Sequence, residues 1–186
     1  MPVAKAHKRA QIDVSLDLVE YLGYFLGPLV MIIGIIQFQY TNSSLPMFWI
    51  IYVLIPLLDY TSPLDVKNRT PEEYKLLEKD RRYLIPLYTA WVMEAIQHYM
   101  AMDVIYYQSA ELSWFELFIF VATLASGAAV GGAVGHELFH RKEIVHKIFG
   151  ASLYLKMMNT NFSIQHVQGH HKNVATPLDP ASADKG

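Results

Sequence analysis

Gly135-His136-Glu137-Leu138-Phe139-His140-Arg141 and, one apolar segment later, Gln165-His166-Val167-Gln168-Gly169-His170-His171 are the stretches on which the reading of this chain turns. Six of the eight histidines lie between positions 136 and 171, and five of those six make up these two boxes. A neutral imidazole is a nitrogen ligand suited to zinc, copper and iron. Residues four apart share a face of an α-helix. The spacing therefore aims His136 with His140, and His166 with His170, at one metal. His171 lies about 100° round from His170 on such a helix, where it can serve a second metal beside the first.

The segments around the boxes are apolar. Hydrophobic residues make up 53% of the 186 and charged residues 17%, below the roughly 25% charged share usual in soluble domains. Residues 18–40, 45–58, 83–107 and 112–134 form four apolar runs, the second short for a full crossing. At about 1.5 Å per residue the longer runs cross a hydrocarbon core of ~30 Å. A fifth run, 144–158, is interrupted by His146, Lys147 and Lys156, so it reads as interfacial or partly inserted. The expected fold class is all-α: a polytopic transmembrane bundle of four spans plus that fifth helix. Gly27-Pro28, Pro46 and Pro56 are places where these helices can kink. In the charged linker, Thr70-Pro71-Glu72-Glu73 reads as an N-cap, a proline at the first helical position and acids in the first turn. A surface helix is expected from Pro71. Residues 1–17 form a polar tail without a signal-peptide core.

Lysine and arginine are absent from 10–66 and from 83–140. The turns at 41–44 and 108–111 lie in those gaps. The tail, the linker and both histidine boxes carry the basic residues, so the positive-inside rule puts the boxes on the cytoplasmic side of an integral, multi-pass membrane protein. With no cysteine, disulfides, thiolate zinc sites, iron–sulfur clusters and cysteine nucleophiles are excluded. A net charge of -2 points to no nucleic-acid partner.

His136-Glu137-x-x-His140 also matches a zinc-peptidase signature, with the glutamate as base. That reading leaves the second box unexplained, since a catalytic zinc needs three protein ligands. Ordinary interfacial histidines do not account for two boxes of matched spacing. Gly127, Gly131 and Gly135, with Ala128 and Gly132, form a small-residue face leading to the first box. Close helix packing and an apolar passage to the metal both fit it. Glu94 and His98, four apart with Asp103 nearby, are read as a mutual hydrogen-bonding contact within the third span. Tyr40, Trp49, Tyr83, Tyr106, Tyr107 and Trp114 suit interface anchors; Phe48 or Trp49 alternatively limits substrate length.

The two boxes, followed by Lys172-Asn173-Val174-Ala175-Thr176-Pro177-Leu178-Asp179-Pro180-Ala181-Ser182, resemble the first part of the integral-membrane alkane 1-monooxygenases, within the membrane desaturase and hydroxylase superfamily. The tail from Val174 to Ser182 is more specific than the histidines and favours the alkane and xylene monooxygenase branch over desaturases and sterol or fatty-acid hydroxylases. Pro56-Leu57-Leu58-Asp59 and Leu77-Glu78-Lys79-Asp80-Arg81-Arg82-Tyr83 extend the resemblance upstream. It implies two non-haem iron ions held by His136, His140, His166, His170 and His171, with Asp179 supporting a ligand by a hydrogen bond. It further implies oxidation of a medium-chain alkane by dioxygen to the primary alcohol. Electrons would come from a rubredoxin-type donor, and the substrate would arrive through membrane lipid.

Three positions depart from the family pattern: Phe139 for a small residue, Arg141 for lysine and Gln165 for glutamate. Five imidazoles do not give two irons four ligands each. Residues 18–186 are therefore expected to be the N-terminal part of the diiron domain, the third histidine box lying beyond Gly186. The alternative is a truncated, non-catalytic paralogue or complex subunit.

Overall fold

Proline and glycine punctuate the first half of the chain and decide where its helices break. The computed structural model describes residues 18–63, 70–77, 79–179 and 181–182; the polar tail, Lys67, Arg69 and Glu78 lie outside them. The expected first span is two helices, α1 (Leu18–Gly23) and α2 (Leu26–Thr41), rather than one. Pro28 has no N–H to give to the carbonyl of Tyr24, and its ring would collide with that carbonyl. The chain turns there instead, with Tyr24 N–H bonded to Tyr21 O and Phe25 N–H to Leu22 O. At its other end α2 closes on Asn42, whose φ of 49° supplies the left-handed cap.

The second apolar run is one helical rod, α3 (Leu45–Trp49) passing through a π-helical segment (Ile50–Leu54) into α4 (Ile55–Thr61). Pro56 explains the widening: it cannot bond Tyr52, and the ladder shifts to Ile55 N–H on Ile50 O. In the linker, α5 (Pro71–Leu77) begins at the expected proline. The Thr70 hydroxyl accepts from Glu73 N–H, and the Glu73 carboxylate accepts from Thr70 N–H at 2.7 Å, a reciprocal cap.

Two long helices follow, α6 (Leu84–Tyr107) and α7 (Trp114–His140), then α8 (Ile144–Lys156). A second reciprocal cap, Ser113 with Glu116, starts α7. That helix is the only one among the described residues with both the length and the apolar composition to cross a membrane; α2 and the 45–61 rod are apolar but shorter. No strand occurs among the described residues. The fold is an all-helical bundle with α7 at its centre, against α3, α6 and α8, while α2 packs on α6.

The glycine face of α7 is filled by neighbours. A Cβ on Gly131 would come within 3.0 Å of the Glu94 carboxyl carbon, and one on Gly135 within 2.8 Å of the Tyr154 ring. Gly150 of α8 meets the Gly135 carbonyl in the same way. The small residues bring the helices together, as the packing reading of that face expects. Ala90, Val134, Leu138 and Leu153 form the apolar core beneath the first box.

Glu94, 1% exposed, does not pair with His98 as its spacing suggests. Its carboxylate meets the ammonium of Lys156, at the end of α8. Four-residue spacing within α6 loses here to a cation delivered by a different helix, because a buried carboxylate is stabilised far more by a charge than by a neutral imidazole.

Candidate metal centre

His136 and His140 occupy the last turns of α7, where the leucine and valine core under Leu138 fixes the helix. Their Nε2 atoms lie 3.2 Å apart, as four-residue spacing on an α-helix requires. The second box is built differently. Residues Ile164–His170 form a π-helix, continuing into α9 (His171–Asn173), and His171 N–H bonds His166 O. Of the two adjacent imidazoles, His171 presents its Nε2 to that of His166, whereas His170 stacks on the His166 ring. His166 Nε2 is 2.9 Å from His171 Nε2 and 2.6 Å from His136 Nε2. One ligand nitrogen from each of His136, His140, His166 and His171 thus falls within 4.8 Å of all the others.

His170 stands beside this group. Its ring stacks on His166 with centroids 5.4 Å apart, and its Nδ1 is held by Asp179 Oδ2 at 2.7 Å. Asp179 is 6% exposed and is itself fixed: Ser182 Oγ donates to Oδ2 at 2.5 Å and Ala181 N–H to Oδ1 at 3.0 Å. The Ser182 hydroxyl first, then the Ala181 amide and His170, hold this carboxyl below the usual range for aspartate, against the opposing effect of burial. An ionised Asp179 accepts a hydrogen bond from His170 Nδ1–H, which leaves the Nε2 lone pair free for a metal.

Burial, reinforced by the surrounding imidazoles, pushes the His166 pKa down to about 4. His166 is therefore neutral, with its lone pair available, at ordinary pH. Convergence of imidazole nitrogens with no carboxylate in the group is a donor set for a transition ion rather than for calcium or magnesium. By contrast, Glu137, the base in a peptidase reading, is paired with Arg141 at 2.6 Å.

His146 lies outside the cluster, its Nδ1 2.6 Å from the Tyr88 hydroxyl. Phe139 is buried against Tyr154 and Phe162, so the departure from a small residue serves helix packing. Gln165 is exposed, and the carboxylate that touches this box is Asp179. Trp49 is 56% exposed; Met47, not Phe48 or Trp49, fills the space beside Gly34. The sequence reading passed over Tyr154 and Phe162, and quoted Ser182 in the tail without giving it a role. Phe162 had a visible signal, sitting four residues before His166.

No protein-family model matches the chain. Among curated proteins it is 33% identical over 137 residues to the alkane 1-monooxygenase of Pseudomonas putida, covering 73% of this chain and 33% of that protein. It is 29% identical over 168 residues to alkane 1-monooxygenase 1 of Alcanivorax borkumensis, covering 87% of this chain and 40% of that protein. The alkane 1-monooxygenase of Acinetobacter baylyi matches at 29% over 185 residues, 92% of this chain and 44% of its own length. The chain therefore spans between a third and a half of the length of these relatives. By this shared sequence, the chain is a relative of the alkane 1-monooxygenases, matched over a part of their length.

Proposed function

We propose that the chain is the N-terminal part of a membrane-bound, non-haem diiron monooxygenase that hydroxylates the terminal methyl group of medium-chain alkanes. The observation that carries this reading is the meeting of imidazole nitrogens from His136, His140, His166 and His171 within 4.8 Å. His170 joins them as the fifth ligand through Nε2. Further donors to the second ion belong to the part of the relatives' length that this chain does not span.

Iron held there would supply the activation of dioxygen, one oxygen atom entering a C–H bond of the alkane and the other leaving as water with two electrons from a rubredoxin-type donor and two protons. The protein's own part is to keep lone pairs ready and fixed. Neutral His166 offers its nitrogen without first losing a proton, and Asp179 orients His170 through its Nδ1–H.

The bundle lies in the membrane with four crossings and both boxes on the cytoplasmic side. The length and apolarity of α7 support this, as do outward-facing apolar side chains such as Ile33, Ile36, Phe115, Phe118 and Val121, which are 45–66% exposed. Exposed apolar side chains of that size and number suit lipid rather than water. The absence of lysine and arginine from 10–66 and 83–140 supports the orientation.

The test uses the complete protein in detergent or native membrane. Iron content and oxygen-dependent conversion of octane to 1-octanol are measured for the parent and for His170→Ala. Loss of both in the variant supports the reading. Zinc in place of iron, or no turnover of octane by the parent, ends it.

A further inference from the structure

Four near-parallel rings run from α8 into the second box. Tyr154 and Phe162 stack with centroids 4.0 Å apart and planes 9° from parallel. Phe162 continues onto His166 at 4.8 Å and 13°, and His166 onto His170 at 5.4 Å and 25°. The base of this column is tied to α7, the helix that presents the first box. The Tyr154 hydroxyl donates to the Gly132 carbonyl at 3.0 Å, and its ring occupies the space that a side chain at Gly135 would need. Phe139 flanks both Tyr154 and Phe162, at 5.4 and 6.3 Å.

His166 is the imidazole that most needs such support. Its Nε2 meets those of both His136 and His171, so a rotation of its ring breaks the cluster at its centre. A histidine ligand is ordinarily oriented by a hydrogen bond at its other nitrogen. Asp179 provides that for His170; among the described residues no group holds His166 Nδ1. Rotation about the last side-chain bond of histidine is intrinsically broad, so something else has to set the plane.

We propose that Phe162 is the positioning residue for His166: its ring, seated on Tyr154 and Phe139, fixes the plane of the imidazole so that Nε2 projects towards His136 and His171. An offset or parallel stack favours one plane for the ring, the part of its orientation that the first box and His171 do not set. The inference rests on the metal-centre reading above and adds to it a residue outside the donor set.

The experiment titrates Co²⁺, whose d–d absorption reports ligand geometry, into the metal-stripped complete protein in detergent. Phe162→Leu and Phe162→Met remove the flat face and keep apolar bulk; Phe162→Tyr keeps the face. We expect the Leu and Met variants to elute as monodisperse protein, to bind Co²⁺ roughly tenfold or more weakly, and to show displaced absorption bands. Phe162→Tyr should match the parent in affinity and spectrum. Parent-like Co²⁺ binding by Phe162→Leu overturns the proposal. So does a loss in Phe162→Tyr equal to that in Phe162→Leu, or failure of both the Leu and Met variants to remain monodisperse, which would make the ring merely structural. A parent protein that binds no metal overturns the metal-centre reading itself, an outcome separate from a Phe162 effect that fails while the parent spectrum is intact.

Discussion

Replacing Lys156 by methionine strands a carboxylate. Glu94 has a side chain 1% exposed, walled by Gly131 on one side and by the Lys156 ammonium on the other; the lysine itself is 17% exposed. That difference in exposure makes the two single replacements unequal. Without the lysine, the Glu94 carboxyl is left without its cation in a dry site, and breaking a buried pair in this way costs about 3–5 kcal/mol. Without the glutamate, in Glu94→Leu, the ammonium is already partly wet, and its four-carbon stem lets it reach further out. The loss should then be roughly half as large. The double replacement Glu94→Leu with Lys156→Met removes both charges and should recover most of the stability, since apolar side chains of similar volume often substitute for such pairs at little cost. The assay is thermal unfolding in detergent, followed by the fraction that elutes monodisperse, for parent, both singles and the double. If Lys156→Met unfolds with the parent, or Glu94→Leu is the more damaging single, the pair does not hold α8 to α6 and the reasoning fails.

Gly135→Ala places a Cβ 2.8 Å from the Tyr154 ring and 3.3 Å from the Gly150 carbonyl. It should lower stability by about 1–3 kcal/mol, whereas Gly127→Ala meets only the movable end of Gln97 and should be close to neutral; the same unfolding assay compares them. The depressed pKa of His166, about 4 against an ordinary 6.5, means that the folded metal-free chain binds fewer protons than the unfolded one between those values. Stability should therefore be insensitive to this group above pH 6.5 and decline by up to about 3 kcal/mol as pH falls towards 4. Unfolding midpoints of metal-free protein across that range test the sign, and His166→Gln should flatten the decline. Asp179→Asn should weaken metal binding roughly 10–100-fold with the helical fold retained, read by metal titration and circular dichroism.

Helix existence was legible along most of the chain because it depended on local chemistry. The cap at Thr70 and the proline after it marked α5, and α8 occupies nearly the expected run. The break at Tyr24–Phe25 was half legible: Gly27-Pro28 announced a kink, but a full interruption depended on whether neighbouring helices held the two pieces in line. Glu94 shows the limit more sharply. Its partner lies 62 positions away, and a four-residue neighbour looked sufficient only because sequence spacing measures contacts within a helix and says nothing of what the next helix delivers.

The second box is where local reading failed most instructively. On an α-helix His166 and His170 share a face; in the π-helical segment that forms, His171 meets His166 through Nε2 while His170 stacks on its ring. Nothing in the residues between them selects five-residue bonding over four, because both ladders satisfy the same backbone groups. The choice comes from outside the segment. Phe162 is stacked on Tyr154 below, His166 faces His136 on α7, and His170 is drawn off by Asp179 from the chain beyond. In the widened turn all three contacts are present at once, and the consecutive histidine pair is two differently employed imidazoles. One faces the cluster and one is anchored by a carboxylate. A sequence reader sees two adjacent ligands there; the division of labour between them belongs to the tertiary fold.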